Sequence, residues 1–267
     1  MSPRAACFAC LDRQPAATFE AALWIAAEHD PGVQPAELLR GLDALQQQVN
    51  LGLPTLPAQE LGQPLLRRLS ALDFHPDEES PLRPRVALLH QVLLRRRGQP
   101  LSLALLALEL ARRLEIPLQG VNFPGHFLLR VPGADHLLDP CSGRRLYTRE
   151  CRELLQRHLG PSAELSAKHL QSCDGRSMLQ RLSRNLCQLH QLAGDHLAAL
   201  KDAERVLQLD TPTLHDHLTR AELYQRLECP QGERFDLQRA ILLSDDPAQR
   251  LQLSQRLRQL SATPALH

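Results

Sequence analysis

His126 and Asp139 stand at the two ends of a stretch that reads as a β-hairpin. From 126 to 131 the chain alternates, with Phe127, Leu129 and Val131 on one face and His126, Leu128 and Arg130 on the other. Pro132-Gly133-Ala134-Asp135 is a turn, and 136–139 returns as the partner strand. Pairing of that kind brings a side chain near Asp139 alongside His126, where a carboxylate orients an imidazole and fixes its tautomer. A nucleophile at the start of the helix before this hairpin would complete a triad, since the helix dipole lowers a thiol's pKa there. The hydroxyl in that first turn is Ser102. A Ser102-His126-Asp139 set is recognised by geometry and not by chain order, so it is one reading. The plainer reading has Ser102 bonding a first-turn backbone group, His126 and Asp139 forming a buried pair kept for packing, and Asp139-Pro140 starting a turn.

Several elements must hold these residues in place. The segment 101–114 is apolar nearly all round (Leu103, Ala104, Leu105, Leu106, Ala107, Leu108) and reads as the central buried helix. Before it, 84–97 reads as a helix ending in Arg95-Arg96-Arg97-Gly98, a solvated basic last turn with a glycine stop. A short strand is expected at 118–122, and helix resumes near Thr148. Towards the start of the chain, Thr18 reads as the cap of a helix that sends Phe19, Ala22, Leu23 and Ala26 to the core. Leu38, Leu42, Leu45 and Val49 follow as one apolar stripe. The proline-bounded stretch 74–81, with Asp77, Glu78 and Glu79, reads as a solvated acidic loop.

Composition agrees with a mostly helical α+β protein. Leu, Ala, Arg and Gln dominate, aromatic residues make up only 3%, and β-branched types are scarce. A 43% hydrophobic content excludes disorder, and a net charge of +1 argues against a dedicated nucleic-acid binder. The longest apolar runs, 21–27 and 103–108, fall well short of the ~20 residues a bilayer needs, so no membrane partner is expected. No apolar leader opens the chain, and seven scattered cysteines point to reduced thiols in a cytoplasm. Cys7 and Cys10 form a lone CxxC in what reads as a terminal tail, without a second pair for a zinc site. His215 and His217, flanking Asp216, read as exposed helix-start residues, so neither metal nor cofactor is expected.

The tail carries a repeat. A shift of 34 residues sets Tyr224 under His190, Ala240 under Val206 and Ile241 under Leu207, which is the period of tetratricopeptide repeats. Leu186 and Ala221 fall where that motif wants a large and then a small residue. Glu228 stands in place of the usual turn glycine, Pro212 and Pro247 come late, and 247–260 reads as a capping helix. Leu186, His190 and Tyr224 mark the core or groove through which a protein or peptide partner would bind. Two repeats are too few to stand alone, so they are expected to lean on the first domain.

The order of these motifs resembles a known family. The helix, Ile116-Pro117, Phe123-Pro124-Gly125-His126-Phe127 and Leu138-Asp139-Pro140 resemble the transglutaminase-like fold of papain-type thiol enzymes. Together with Arg96-Arg97-Gly98-Gln99-Pro100-Leu101-Ser102-Leu103 and the repeat tail, the chain from about 21 to 260 is similar to the bacterial SirB-one family. The resemblance implies a transglutaminase-like domain fused to repeats, with His126 and Asp139 at the family's His and Asp positions. It also implies a thiol near Pro100, and this sequence has none there. The expectation is therefore an N-terminal helical and transglutaminase-like domain over 1–172 and a repeat domain over 173–267, joined at Asp174-Gly175-Arg176-Ser177. Its expected role is a non-catalytic cytoplasmic interaction or regulatory protein. The rival is a serine hydrolase or acyl transferase using Ser102, His126 and Asp139.

Overall fold

The computed structural model describes residues 1–262, and the chain divides into two compact units, Met1–Leu182 and the part from Ser183 onward. No helix among the described residues is long and apolar enough to cross a membrane. The protein is mostly helical with two small sheets.

The first unit opens with α1 (Pro3–Leu11), α2 (Thr18–His29), α3 (Pro35–Asn50) and α4 (Gly62–Ala71). The CxxC lies within α1, where Cys7 and Cys10 are buried in the core, so this segment is a packed helix and not a loose tail. Thr18 is the first residue of α2, and Ala17, which lends no side-chain bond, occupies the cap position expected of Thr18. The helix holds without that cap because Phe19, Ala21, Ala22, Leu23, Ile25, Ala26 and Ala27 are all buried.

The expected helix over 84–97 is shorter. Only α5 (Leu89–Arg95) is α-helical, and Arg96, at φ +54°, makes the left-handed stop expected of Gly98. Beyond it, β2 (Arg97–Gly98) pairs in parallel with β1 (His75–Pro76). The triple arginine, expected to be solvated, is tied to this neighbouring loop. Arg95 donates to Asp77 at 2.7 Å, Arg96 to the Leu72 carbonyl at 2.8 Å, and Arg97 to Asp73 Oδ1 at 3.0 Å. Glu79 takes Arg85 at 2.5 Å, so Asp77 and Glu79 of the acidic loop are both paired with arginines outside it.

Next comes α6 (Pro100–Arg113), buried along most of its length as its apolar circumference requires. Proline at its first position costs no intrahelical bond. A four-stranded antiparallel sheet follows in the order β3 (Gln119–Val121), β4 (Leu128–Arg130), β5 (Leu137–Leu138) and β6 (Arg145–Leu146). Val121, Phe123, Leu128, Leu137 and Leu146 pack with Cys151, Leu154 and Leu155 of α7 (Thr148–Leu159). His126, expected to begin a strand, lies outside β4. Its amide donates to the Phe123 carbonyl at 3.1 Å, closing a turn through Gly125.

The joint expected at 174–177 is the start of α8 (Gly175–Leu192). Its first turns belong to the first unit, where Met178, Leu179 and Leu182 are buried. In the second unit, the rest of α8 is followed by α9 (His196–Leu209), α10 (Leu214–Arg226), α11 (Pro230–Leu243) and α12 (Pro247–Ala262). Two fully buried carboxylates, Asp202 and Asp236, stand 34 positions apart. Asp202 accepts from Arg205 and pairs with His190 Nδ1 at 2.7 Å. Asp236 pairs with His217 Nδ1 at 2.8 Å and accepts from Arg220 at 2.7 and 2.9 Å. Asp216 and His217, expected to be exposed, are therefore buried. Asp216 caps α10 through Thr213 and receives both prongs of Arg184 at 2.7 Å.

Candidate functional site

The site is built from three places in the first unit: the start of α6, the turn before β4, and the turn after β5. At the start of α6, Pro100 occupies the first helical position and Gln99 the cap position. Ser102 is wholly buried, and its hydroxyl donates to the Ala87 carbonyl at 3.3 Å. The hydroxyl therefore bonds a carbonyl 15 residues earlier, outside α6, and not the first-turn backbone group expected of it.

The turn before β4 presents His126 to solvent. Gly125 sits at φ +72°, and a Cβ there would come within 2.6 Å of the His158 ring. Glycine is required twice over, by the backbone angle and by the close approach of His158 from α7. Arg181 of α8 braces the turn, donating to Asn122 Oδ1 at 2.7 Å and to the Phe123 carbonyl at 2.9 Å. It also lies 5.9 Å from the centre of the Phe127 ring. Partial desolvation of the His126 ring, followed by the cations of Arg157 and Arg181 and by His158, lowers its pKa. Asp139 opposes this with the weakest of these influences. The imidazole is therefore held towards its neutral form, the form a general base needs.

The turn after β5 uses up the expected orienting carboxylate. Asp139 Oδ2 accepts from Ser142 Oγ at 2.5 Å, and Oδ1 from the Cys141 amide at 3.2 Å. The same turn is closed by the Gly143 amide on the Asp139 carbonyl at 2.9 Å and anchored to α4 by Gln63 at 2.8 Å. The β4–β5 register brings His126 and Asp139 to one end of the sheet, with Leu129 opposite Leu138. Neither an ion pair nor a hydrogen bond joins the two side chains, and none joins Ser102 to His126. Burial pushes Cys10 and Cys173 up to about 11, and Cys141 and Cys187 up to about 12, where a thiol stays protonated.

In the second unit, Leu186 is fully buried, and His190 is committed to Asp202. Tyr224 packs its ring on Gly232, with the Arg220 guanidinium 5.6 Å from the ring centre. All three are packing residues in this structure. Arg181 leaves no local pattern in the sequence, because the turn it braces lies nearly 60 residues earlier in the chain. Nor does any sequence pattern mark the cavity of about 360 Å³ between α8, α9 and α10, lined by Asn185, Gln188, Gln191, Thr219 and Glu222 among others.

With this geometry in view, comparison with known proteins is informative. The transglutaminase-like superfamily model matches residues 36–184. A UPF0162 protein of Pseudomonas aeruginosa is 59% identical over 270 residues, covering 100% of each chain. Another, from Xylella fastidiosa, is 41% identical over 167 residues, 60% of this chain and 59% of its own. Human F-box only protein 21 is 37% identical over 117 residues, 40% of this chain and 18% of its own. No solved structure matches the chain. A transglutaminase-like core that lacks a thiol at the start of its central helix, set in a chain matched end to end by a UPF0162 protein, places this protein in the UPF0162 family.

Proposed function

We propose that this protein is a non-catalytic, cytoplasmic interaction or regulatory protein. Its transglutaminase-like domain serves as a scaffold, and helices α8 to α12 act as tetratricopeptide-like repeats that bind a protein or peptide. The observation that carries the reading is at the start of α6: proline stands where the resemblance to the SirB-one family puts a thiol, and the nearest hydroxyl, on Ser102, is buried and bonded to Ala87. Covalent acyl transfer needs an activated nucleophile, and the raised thiols offer none. The commitment of Asp139 to its own turn supports the same reading, because a base without an orienter is poorly fixed. Seven free thiols, the modest net charge and the 34-residue recurrence of Asp202 and Asp236 support a reduced compartment, a protein partner in preference to nucleic acid, and a repeat architecture.

The test is a pull-down from bacterial lysate with the wild-type chain, Ser102→Ala and His126→Ala side by side. The proposal expects one partner, retained equally by all three and crosslinked to residues within α8 to α12. A protein trapped only by the alanine variants would be a stalled substrate, and would put the serine enzyme first.

A further inference from the structure

The cavity between α8, α9 and α10 has a floor and two walls of distinct chemistry. Its floor is made of Cys187, Ala203 and Val206, each at most 3% exposed. One wall is a row of carboxamides along α8, Asn185, Gln188 and Gln191, spaced three residues apart. The facing wall is Thr219 and Glu222 on α10, with His215 a turn earlier. Carboxamides and hydroxyls both donate and accept, so two such rows can satisfy the alternating N–H and C=O groups of an extended chain. The volume, about 360 Å³, falls in the range of ligand-sized pockets and suits a short segment.

Charge selects further. Arg184, the cation at this cavity, is neutralised by the bidentate pair with Asp216 at 2.7 Å. Glu222 is exposed and takes part in no ion pair or side-chain hydrogen bond among the described residues. A ligand that lies along the amides therefore meets an uncompensated carboxylate at one wall. We infer that this cavity binds an extended peptide segment carrying a basic side chain, its backbone held by the Gln188 and Gln191 amides of α8 and its cation by Glu222. The inference rests on the reading of this unit as a partner-binding module and names the chemistry of the partner.

The test applies the full-length chain to an immobilised library of nonapeptides with randomised flanks and a central arginine, leucine or glutamate. Arginine-centred peptides are expected to retain the most protein and glutamate-centred peptides the least. Glu222→Gln, an exposed substitution expected to leave the thermal transition unchanged, should lower arginine retention about fivefold, to the leucine level. Gln188→Ala should lower retention on every class, because it removes backbone contacts. Equal retention across the three centres, or an arginine preference that survives Glu222→Gln, overturns the inference. A partner crosslinked to α8 to α12 whose capture ignores both substitutions also overturns it, while leaving the interaction reading in place. Absence of any partner on those helices removes the reading beneath it.

Discussion

Gly125 and His126 show how far single positions are specified around the candidate site. Gly125→Ala forces a side chain into φ +72° and onto the His158 ring. It should cost about 1–3 kcal/mol, read as a lowered urea midpoint at unchanged slope. An unchanged midpoint would mean that the turn does not hold this angle. His126 lies below the ordinary histidine value through partial desolvation and then through Arg157, Arg181 and His158. Its folded-state pKa is thus lower than its unfolded one, so the stability it contributes is complete above the unfolded value and is lost as pH falls through the folded one. An NMR titration should place its midpoint below 6.5, and Arg157→Gln should move that midpoint upward. A midpoint above 6.5 would show a carboxylate partner that the geometry lacks. At this scale the sequence was readable for residue type and less so for partnership. His126 and Asp139 do come to one end of the sheet, but the choice of Asp139 for Ser142 and Cys141 over His126 depends on the tight turn between β5 and β6, which spacing does not reveal.

The elements follow hydrophobic period where burial is strong and depart from it where single contacts decide. α6 was legible because an all-round apolar segment has no alternative to the core. The strand expected from 126 starts at 128, because the Phe123 carbonyl captures the His126 amide before the ladder begins. The helix expected over 84–97 shrinks to α5 for a comparable reason: Arg95, Arg96 and Arg97 each find a partner in the loop 72–77, and those contacts fix a left-handed stop that propensity disfavours. Arg95→Ala should therefore loosen the loop, raising amide exchange at Glu79, whose N–H is held by Asp77 at 3.0 Å. Unchanged exchange there would mean that the loop is ordered without the arginine.

Across the whole molecule, two kinds of order meet in one chain. The family match ends at residue 184, close to the division after Leu182, and beyond it Asp202 and Asp236 stand 34 residues apart in a run of helices. That spacing was legible at apolar positions such as Val206 and Ala240, which are both buried. The buried acids that share it were not, since a buried carboxylate is visible only with its arginine and histidine in place. Asp236→Ala should leave the Arg220 charge and His217 without their acceptor and cost about 3–5 kcal/mol, seen as early melting. A loss under 1 kcal/mol would contradict the packing described for this unit. For the other unit, the proposal is that the transglutaminase-like core has no working nucleophile. Incubation of the native chain with a fluorophosphonate and, separately, with iodoacetamide, followed by peptide mass spectrometry, tests it most directly. The account predicts that Ser102 stays unmodified and that no thiol reacts faster than a free cysteine. A stoichiometric adduct on Ser102, abolished by His126→Ala, would contradict it.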